Sequence, residues 1–420
     1  MKRIVMFSGG VETLTYFSKE MAKEFEKKGY AVFFYDLKSE KTDAKRLRKF
    51  IKVGETVMIT FNFQGLEKEP GVYREREGYV WDEYRIPCYN IAADHPYYYH
   101  DRLRDLPKRY YHISIDRLQE AYFKAYYPEY QSLGFLPLAG TKYTGETACA
   151  DKTKCTMEME GADGTRDTGE TAYSENAEGE RTTQMLLTGN YTPPSFCEPY
   201  INGINEEYAE FYRGIIRELI EKPGQTVEAV AKRHCERELG KVAYDDLRLV
   251  FHRMIFIDLY VRNYFRGEVV KTLVEAGISV DVIGKGWEEL ECGGKENLHI
   301  HPQTDSETCL KELRKAKLSI NVMPWFKDGA HDRVFNSILN GAFCLSDTSK
   351  YLCRELEEGE GVSYYDLQHL EELPKKVTEL LQKNEQLQEF VAKGEKKVLE
   401  KHTWKQRAET LERWILQTEA

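Results

Sequence analysis

No apolar run in this chain of 420 residues approaches the roughly 18–20 residues of a membrane span. A basic surplus is missing too. Lys and Arg number 60 against 70 Asp and Glu, so the net charge is -10, which argues against a nucleic-acid partner. A local basic site remains compatible with that balance. The nine cysteines form no Cys-x-x-Cys pair and no His-Cys cluster at zinc spacing. An odd, unpatterned count points to reduced thiols in the cytoplasm. Cys149 and Cys155 lie close enough for a loop disulfide, the less favoured reading. Lys2-Arg3 precede only Ile4–Phe7, too short for the apolar region of a signal peptide. There is no internal repeat and no Asp-x-Asp motif.

What is present describes a globular protein, 41% hydrophobic and 31% charged. The length exceeds what one core usually serves, so two domains are the default. Arg3–Phe7, Ala31–Tyr35, Thr56–Phe61, Cys88–Ala92, His112–Ile115 and Phe135–Leu138 read as strands. Glu12–Lys28, Lys41–Lys52 and Leu118–Tyr127 read as helices between them, and Trp81–Pro87 as a helix end. That alternation is a βαβ pattern and implies a doubly wound parallel sheet. Residues 141–183 break it, being rich in Gly, Thr, Glu and Asp without periodicity. They read as an acidic flexible linker. Gln184–Thr188 restores a strand, and helices follow over Asn205–Glu221, Thr226–Leu239 and Tyr244–Ala276. Val280–Ile283 and Leu298–His301 are strands and Ser306–Lys315 a helix. Glu371–Lys401 is helical, and His402–Leu416 is a last helix. The domains are therefore 1–140 and 184–401, with 402–420 crossing back onto the first.

The organising stretch is Leu318–Tyr351. A strand ends at Pro324, the polar loop Asp328-Gly-Ala-His-Asp-Arg333 opens a helix, and Ala342–Leu345 is a second strand before Ser346–Ser349. Loops at strand ends of a parallel sheet are where ligands bind, and a helix N-terminus there favours a phosphate. Arg333 can grip a phosphate bidentately. His331 can donate to a phosphate or hydroxyl, and Asp328 and Asn336 can bridge sugar hydroxyls. Helix capping by Asp328 and Asp332 is the structural alternative. Met323, Thr348 and Ser349 share that edge, as do Gly189, Asn190 and Tyr191 and the run Gly284, Lys285, Gly286 and Trp287. Lys285 would meet an anion and Trp287 would offer a face to a base.

In the first half, Ser8, Gly9 and Gly10 form a tight βα turn that lets a ligand approach backbone. Ser-Gly-Gly-Val-Glu-Thr13 is similar to the Ser-Gly-Gly-x-Asp-Ser loop of ATP pyrophosphatases, with Glu12 and Thr13 replacing Asp and Ser. Asp94, His95, His112, Asp116 and Arg117 are candidate acceptor-side groups, His95 or Asp94 serving as general base. Tyr97–Tyr99 and Tyr110-Tyr111 are either an acceptor platform or core.

The pattern Gly-x-Gly-Trp at 284–287, followed by Asn-Val, a proline loop and Asp-x-Arg-x-Phe through Gly-Ala-Phe-x-Leu-Ser-Asp over 321–347, resembles the C-terminal domain of GT-B glycosyltransferases. The likeness extends from Met185 to about Tyr365. It is nearest to the family-1-like bacterial group of spore-maturation-type, CgeB-like enzymes. The resemblance implies two Rossmann-like domains facing a cleft. A nucleotide-sugar donor, first guess a UDP-sugar, would lie on the second domain, and a protein, glycan or cell-surface acceptor on the first. It also implies a metal-independent, cytoplasmic hexosyl transfer. Asp328 and Asn336 fall where many retaining members carry two glutamates, implying a donor-sugar contact at Asp328 and a ribose contact at Asn336. The alternatives are a non-catalytic sugar-nucleotide or glycan-binding protein of the same fold, and an ATP pyrophosphatase built on Ser8–Gly10.

Overall fold

The computed structural model describes residues 2–145 and 181–419, so most of the 141–183 stretch, with Cys149 and Cys155, lies outside the described residues. Among the described residues the chain forms two six-stranded parallel sheets. The first contains β1 (Arg3–Ser8), β2 (Ala31–Asp36) and β3 (Thr56–Phe61). A small hairpin of β4 (Tyr73–Arg74) and β5 (Gly78–Tyr79) stands apart. The sheet is completed by β6 (Cys88–Ala92), β7 (Tyr110–Ser114) and β8 (Gln131–Phe135), in the order β2-β1-β3-β6-β7-β8. The second contains β9 (Thr183–Thr188), β10 (Val280–Ile283), β11 (Leu298–His301), β12 (Ala316–Asn321), β13 (Phe343–Asp347) and β14 (Val362–Tyr365), ordered β11-β10-β9-β12-β13-β14.

The sequence explains the interior strands directly. β3 is Thr-Val-Met-Ile-Thr-Phe and buried at every position, as expected of a parallel strand covered on both faces. Helix Glu12–Lys27 buries Leu14, Phe17, Met21 and Phe25, spaced three and four apart, on one side. Several elements depart from their sequence reading. The strand expected at Phe135–Leu138 lies earlier, at Gln131–Phe135. The helix expected over Tyr244–Ala276 is two, Tyr244–Arg253 and Ile255–Glu275. With no Gly or Pro at the break, tertiary packing of the buried Phe251 and Met254 sets it. β14 is absent from the sequence reading.

Each sheet reverses its winding once, between β1 and β3 in the first and between β9 and β12 in the second. A crevice opens at such points beyond the carboxyl ends of the strands. The domains are also packed together. One apolar cluster runs from Ile4, Val57 and Ile113 of the first sheet to Val334, Phe335 and Ile338 of helix Asp332–Leu339. The last helix, Trp404–Thr418, lies on the first domain. There the Trp404 ring meets Phe17 at 5.2 Å, and Arg407 Nε donates to Pro137 O at 2.6 Å.

The polar counterpart of that cluster is Asp116. Its Oδ1 accepts from the N–H of Leu118 (2.7 Å) and Gln119 (3.3 Å), capping helix Arg117–Tyr126. Its Oδ2 accepts from the N–H of Lys327 (2.9 Å) and Asp328 (2.7 Å) in the other domain. Arg117 N–H answers with a bond to Asp328 O at 3.2 Å. A buried carboxylate with four N–H donors is costly to truncate. Asp116→Ala is therefore expected to destabilise the fold by about 3 kcal/mol or more, read as a lowered midpoint in urea, while Asp101→Ala on the surface changes it little.

Candidate functional site

The crevice of the second sheet is a cleft of about 410 Å³, closed on its far side by the first domain. Thr188, Gly189 and Asn190 come from the end of β9, and Arg266 from helix Ile255–Glu275. His331, Asp332, Arg333 and Asn336 belong to the start of helix Asp332–Leu339, and Val11, Glu12, Thr13 and Tyr16 to the first domain. Gln303, Thr304, Ser306, Cys309, Leu310 and Leu313 form the remaining wall.

Two guanidinium groups dominate its electrostatics. Arg333 Nη1 donates to Thr188 O at 2.8 Å, and Arg266 Nη1 donates to Asn190 O. Gly189, at φ 149°, leaves room for this: a Cβ there would stand 3.0 Å from Arg333 Nη1. Arg266 Nε has no partner. Burial, then the repulsion of Arg333 and Arg262, pushes the Arg266 guanidinium down to about 9. Burial lowers Arg333 as well, against the opposing charges of Asp332 and Asp347. Neither arginine has a carboxylate within ion-pair distance among the described residues. Trp325 stacks under this cationic wall, 4.4 Å from Arg262 and 5.7 Å from Arg266.

Beside Arg333, His331 Nδ1 lies 2.6 Å from Asp332 Oδ1. Burial and the neighbouring Arg333 hold the His331 imidazole below its ordinary value, against the pull of Asp332. Burial works to raise Asp332, but His331 and Arg333 outweigh it and keep the carboxyl ionised. Asn336 Nδ2 donates to Asp332 Oδ2 at 2.9 Å, while its Oδ1 accepts from Thr141 N–H at 2.8 Å. Its amide thus anchors the chain between the domains, with Asn340 accepting from Tyr143 N–H at 2.8 Å one turn later.

Several sequence candidates stand elsewhere. Asp328 does not line the cleft; its carboxylate meets Arg354 at 2.5 Å and Arg117 at 3.5 Å along the seam. Arg117 is held over the rings of Phe135 and Tyr351, and Asp116 is the seam pillar already described. Trp287 offers no face to a base. It is 1% exposed, stacked on Tyr191 at 5.1 Å, with Nε1 donating to Gly189 O. Gly284 and Gly286 serve that packing, since a Cβ at either would fall within 2.3 Å of Gly189 O or Tyr191 O; Lys285 is exposed beside them. Met323 is fully buried, its N–H donating to Asp347 Oδ1 at 2.7 Å. Ser349 caps helix Lys350–Glu355 through Leu352 N–H and donates to Gly329 O, and Thr348 is exposed off the cleft.

In the first domain, His112 is core: its ring stacks on Phe123 at 3.6 Å, and burial pushes it down to about 3. Tyr97, Tyr99 and Tyr110 are core too. His95 stacks on Tyr97 at 3.9 Å with Nε2 3.6 Å from Glu228, in a separate water-sized chamber at the seam. Asp94 accepts from Asn62 (3.0 Å) and Tyr99 (3.1 Å) and approaches Arg262 at 3.8 Å. Ser8, Gly9 and Gly10 make the β1 turn, with Gly9 at φ 81° against Asp36 and Gly10 against Gln64. The structure brings together Gly189, Asn190, His331, Arg333 and Asn336. It adds Arg266, Asp332, Glu12, Thr13 and Tyr16. Arg262 and Arg266, four apart in helix Ile255–Glu275, were the available signal.

A family model described as glycosyl transferase-like matches residues 264–413. No curated protein matches the chain. Among solved structures, sucrose-phosphate synthase from Thermosynechococcus elongatus is similar at TM-score 0.52 and 9% identity, covering 100% of this chain and 99% of that one. An alpha-glucosyltransferase in complex with UDP-glucose and DNA containing an abasic site gives 0.50 and 10%, covering 99% of each. HepE from Anabaena, in complex with UDP-glucose, gives 0.50 and 8%, covering 98% of this chain and 100% of that one. The chain spans 57% of the length of TarM, another match. The class defined is the GT-B fold, two Rossmann-like domains facing a cleft. Within it, residues 264–413 form the glycosyl transferase-like part, which carries Arg266 and Arg333.

Asp347, at the end of β13, gives the site a pH signature. Burial pushes its carboxyl up to about 7, against the pull of Met323 N–H, Lys327 and Arg333. A folded-state value above the unfolded one means that the native state holds the extra proton. Its contribution is full below about 4 and is lost as pH rises towards 7. Urea titrations of Asp347→Asn and wild type should therefore differ in slope between pH 4 and 7, the variant losing less stability; parallel curves would refute this.

Proposed function

We propose that the protein is a glycosyltransferase that moves a sugar, a hexose in the first instance, from a nucleotide diphosphate donor to a protein, glycan or cell-surface acceptor. The observation that carries this reading is the pair Arg266 and Arg333, half-buried without carboxylate partners on the wall of a 410 Å³ cleft. Unpaired buried charge is expensive, and a diphosphate seated between the two guanidiniums offsets the cost. The volume lies in the range of small-molecule sites, roughly 300–1,000 Å³. UDP-glucose in two structures of this fold makes a UDP-sugar the first donor to try.

In this mechanism the arginines and the N-terminal end of helix Asp332–Leu339 stabilise charge as it develops on the leaving diphosphate, without a required metal ion. Asp332, whose two oxygens are engaged by His331 and Asn336, holds the cleft wall in place. Gln303 and Thr304, which also line the cleft, are assigned to the base or ribose. Asn336 lends position rather than a ribose contact, because both ends of its amide are engaged. Packing of the first domain over the cleft keeps water from the donor. The Gly-x-Gly-Trp and Asp-x-Arg-x-Phe pattern supports the spore-maturation-type group. Action in the cytoplasm belongs to this reading; no described helix is long and apolar enough to cross a membrane.

The test is calorimetric titration with UDP and UDP-glucose, followed by hydrolysis and transfer assays. Arg333→Ala and Arg266→Ala should each weaken UDP binding by about a hundredfold, equivalent to loss of a charge-assisted pair, with little change in melting temperature. Near wild-type affinity in both would sink the donor assignment. Tight binding without hydrolysis or transfer would leave a binding protein of the same fold.

A further inference from the structure

Glu12, in the Ser-Gly-Gly-Val-Glu-Thr motif, lines the cleft but has no part in the donor mechanism described above. It is the first residue of helix Glu12–Lys27 in the first domain, and it faces Ser306, the first residue of helix Ser306–Leu313 in the second. Glu12 Oε1 accepts from Ser306 N–H at 3.0 Å, and Oε2 accepts from Ser306 Oγ–H at 2.8 Å. Both residues line the cleft, with Thr13 and Tyr16 on one side and Thr304 and Cys309 on the other.

The chemistry of this contact is that of a helix cap divided between two domains. The first turn of a helix exposes N–H groups that need acceptors, and negative charge there is favourable. Within its own domain, helix Ser306–Leu313 receives only part of that complement: Asp305 accepts from Thr308 N–H at 2.7 Å. The Ser306 N–H and hydroxyl are satisfied by Glu12 from across the cleft. The seam at Asp116, Lys327 and Asp328 is backbone-bonded and buried, whereas Glu12–Ser306 is an exposed side-chain contact. One is suited to stay fixed and the other to break.

The geometry points to Glu12 as a positioning residue that latches the two domains over the cleft. It releases Ser306 when the domains part to admit a ligand and recaptures it on closure. Separation leaves the Ser306 N–H and hydroxyl to water, so closure regains both bonds. This inference requires that the cleft open, and is independent of which ligand enters it.

The experiment is a charge swap on the full-length protein. Glu12→Arg puts a cation against the helix N-terminus, and adding Ser306→Glu rebuilds an opposite-charge pair with the polarity reversed. Fluorescence transfer between a label at an exposed residue of each domain reads the domain separation without ligand, and calorimetry reads UDP affinity. Glu12→Arg should lower transfer efficiency and weaken UDP binding about tenfold, and the double variant should recover both. Glu12→Gln, which keeps a hydrogen-bond acceptor, should fall between wild type and Glu12→Arg. Unchanged domain separation in Glu12→Arg, or a double variant no more closed than the single one, would overturn the latch. If wild type binds no UDP yet the domain separation follows the swap, the latch stands and the donor reading fails.

Discussion

The cleft exists because the loop after β12 is fixed to the first domain by backbone. Four N–H groups, two from each domain, converge on the Asp116 carboxylate. Such an arrangement fixes Lys327 and Asp328, and through them the entry into helix Asp332–Leu339. The direction of that entry decides where His331, Asp332 and Arg333 stand. Asp116 is chemically distant from any donor, yet it sets the frame in which the arginines are aimed. Burial raises its carboxyl, while the N–H groups around it pull the other way. The native carboxylate is therefore held by geometry rather than by an opposite charge.

The fold was legible because its signals are long and redundant. Continuous apolar runs such as Thr56–Phe61 and Val280–Ile283 mark covered parallel strands, and alternation with helices leaves few topologies. The edge of the second sheet was legible as well, since Gly189 follows a strand and His331 and Arg333 open a helix. What sequence could not provide was the direction in which each side chain points. Trp287 and Met323 sit in cleft-edge loops by number, but their side chains turn into the core, where one stacks on Tyr191 and the other fills the domain seam. Asp328 and Asp332 are four residues apart, and only the loop geometry decides that the second faces the cleft.

Arg266 shows a different limit. Helix Ile255–Glu275 carries Asp258, Arg262, Arg266, Glu268, Lys271 and Glu275 among its apolar residues, so nothing in the sequence separates Arg266 from the other charges. The structure instead places Arg262 and Arg266 against Trp325, with Arg262 paired to Asp258 at 2.7 Å and Arg266 left for the cleft. A cation without a carboxylate in an otherwise buried stripe is an informative feature even before a fold is known, because it costs free energy unless something answers it.

The same reasoning accounts for Asn336. A glutamate at that position would add a second carboxylate beside Asp332, inside a buried cluster. An amide avoids that repulsion and can do what a carboxylate cannot: donate to Asp332 while accepting from Thr141 N–H. The departure from the glutamate pair thus couples the cleft wall to the segment joining the domains. Thr141 is tied in turn to Trp404 of the final helix, whose Nε1 donates to its hydroxyl at 3.1 Å. Through Asn336, the ionised state of Asp332, the path of the linker and the seat of the last helix become one connected constraint, in which no member can shift without disturbing the wall that faces Arg333.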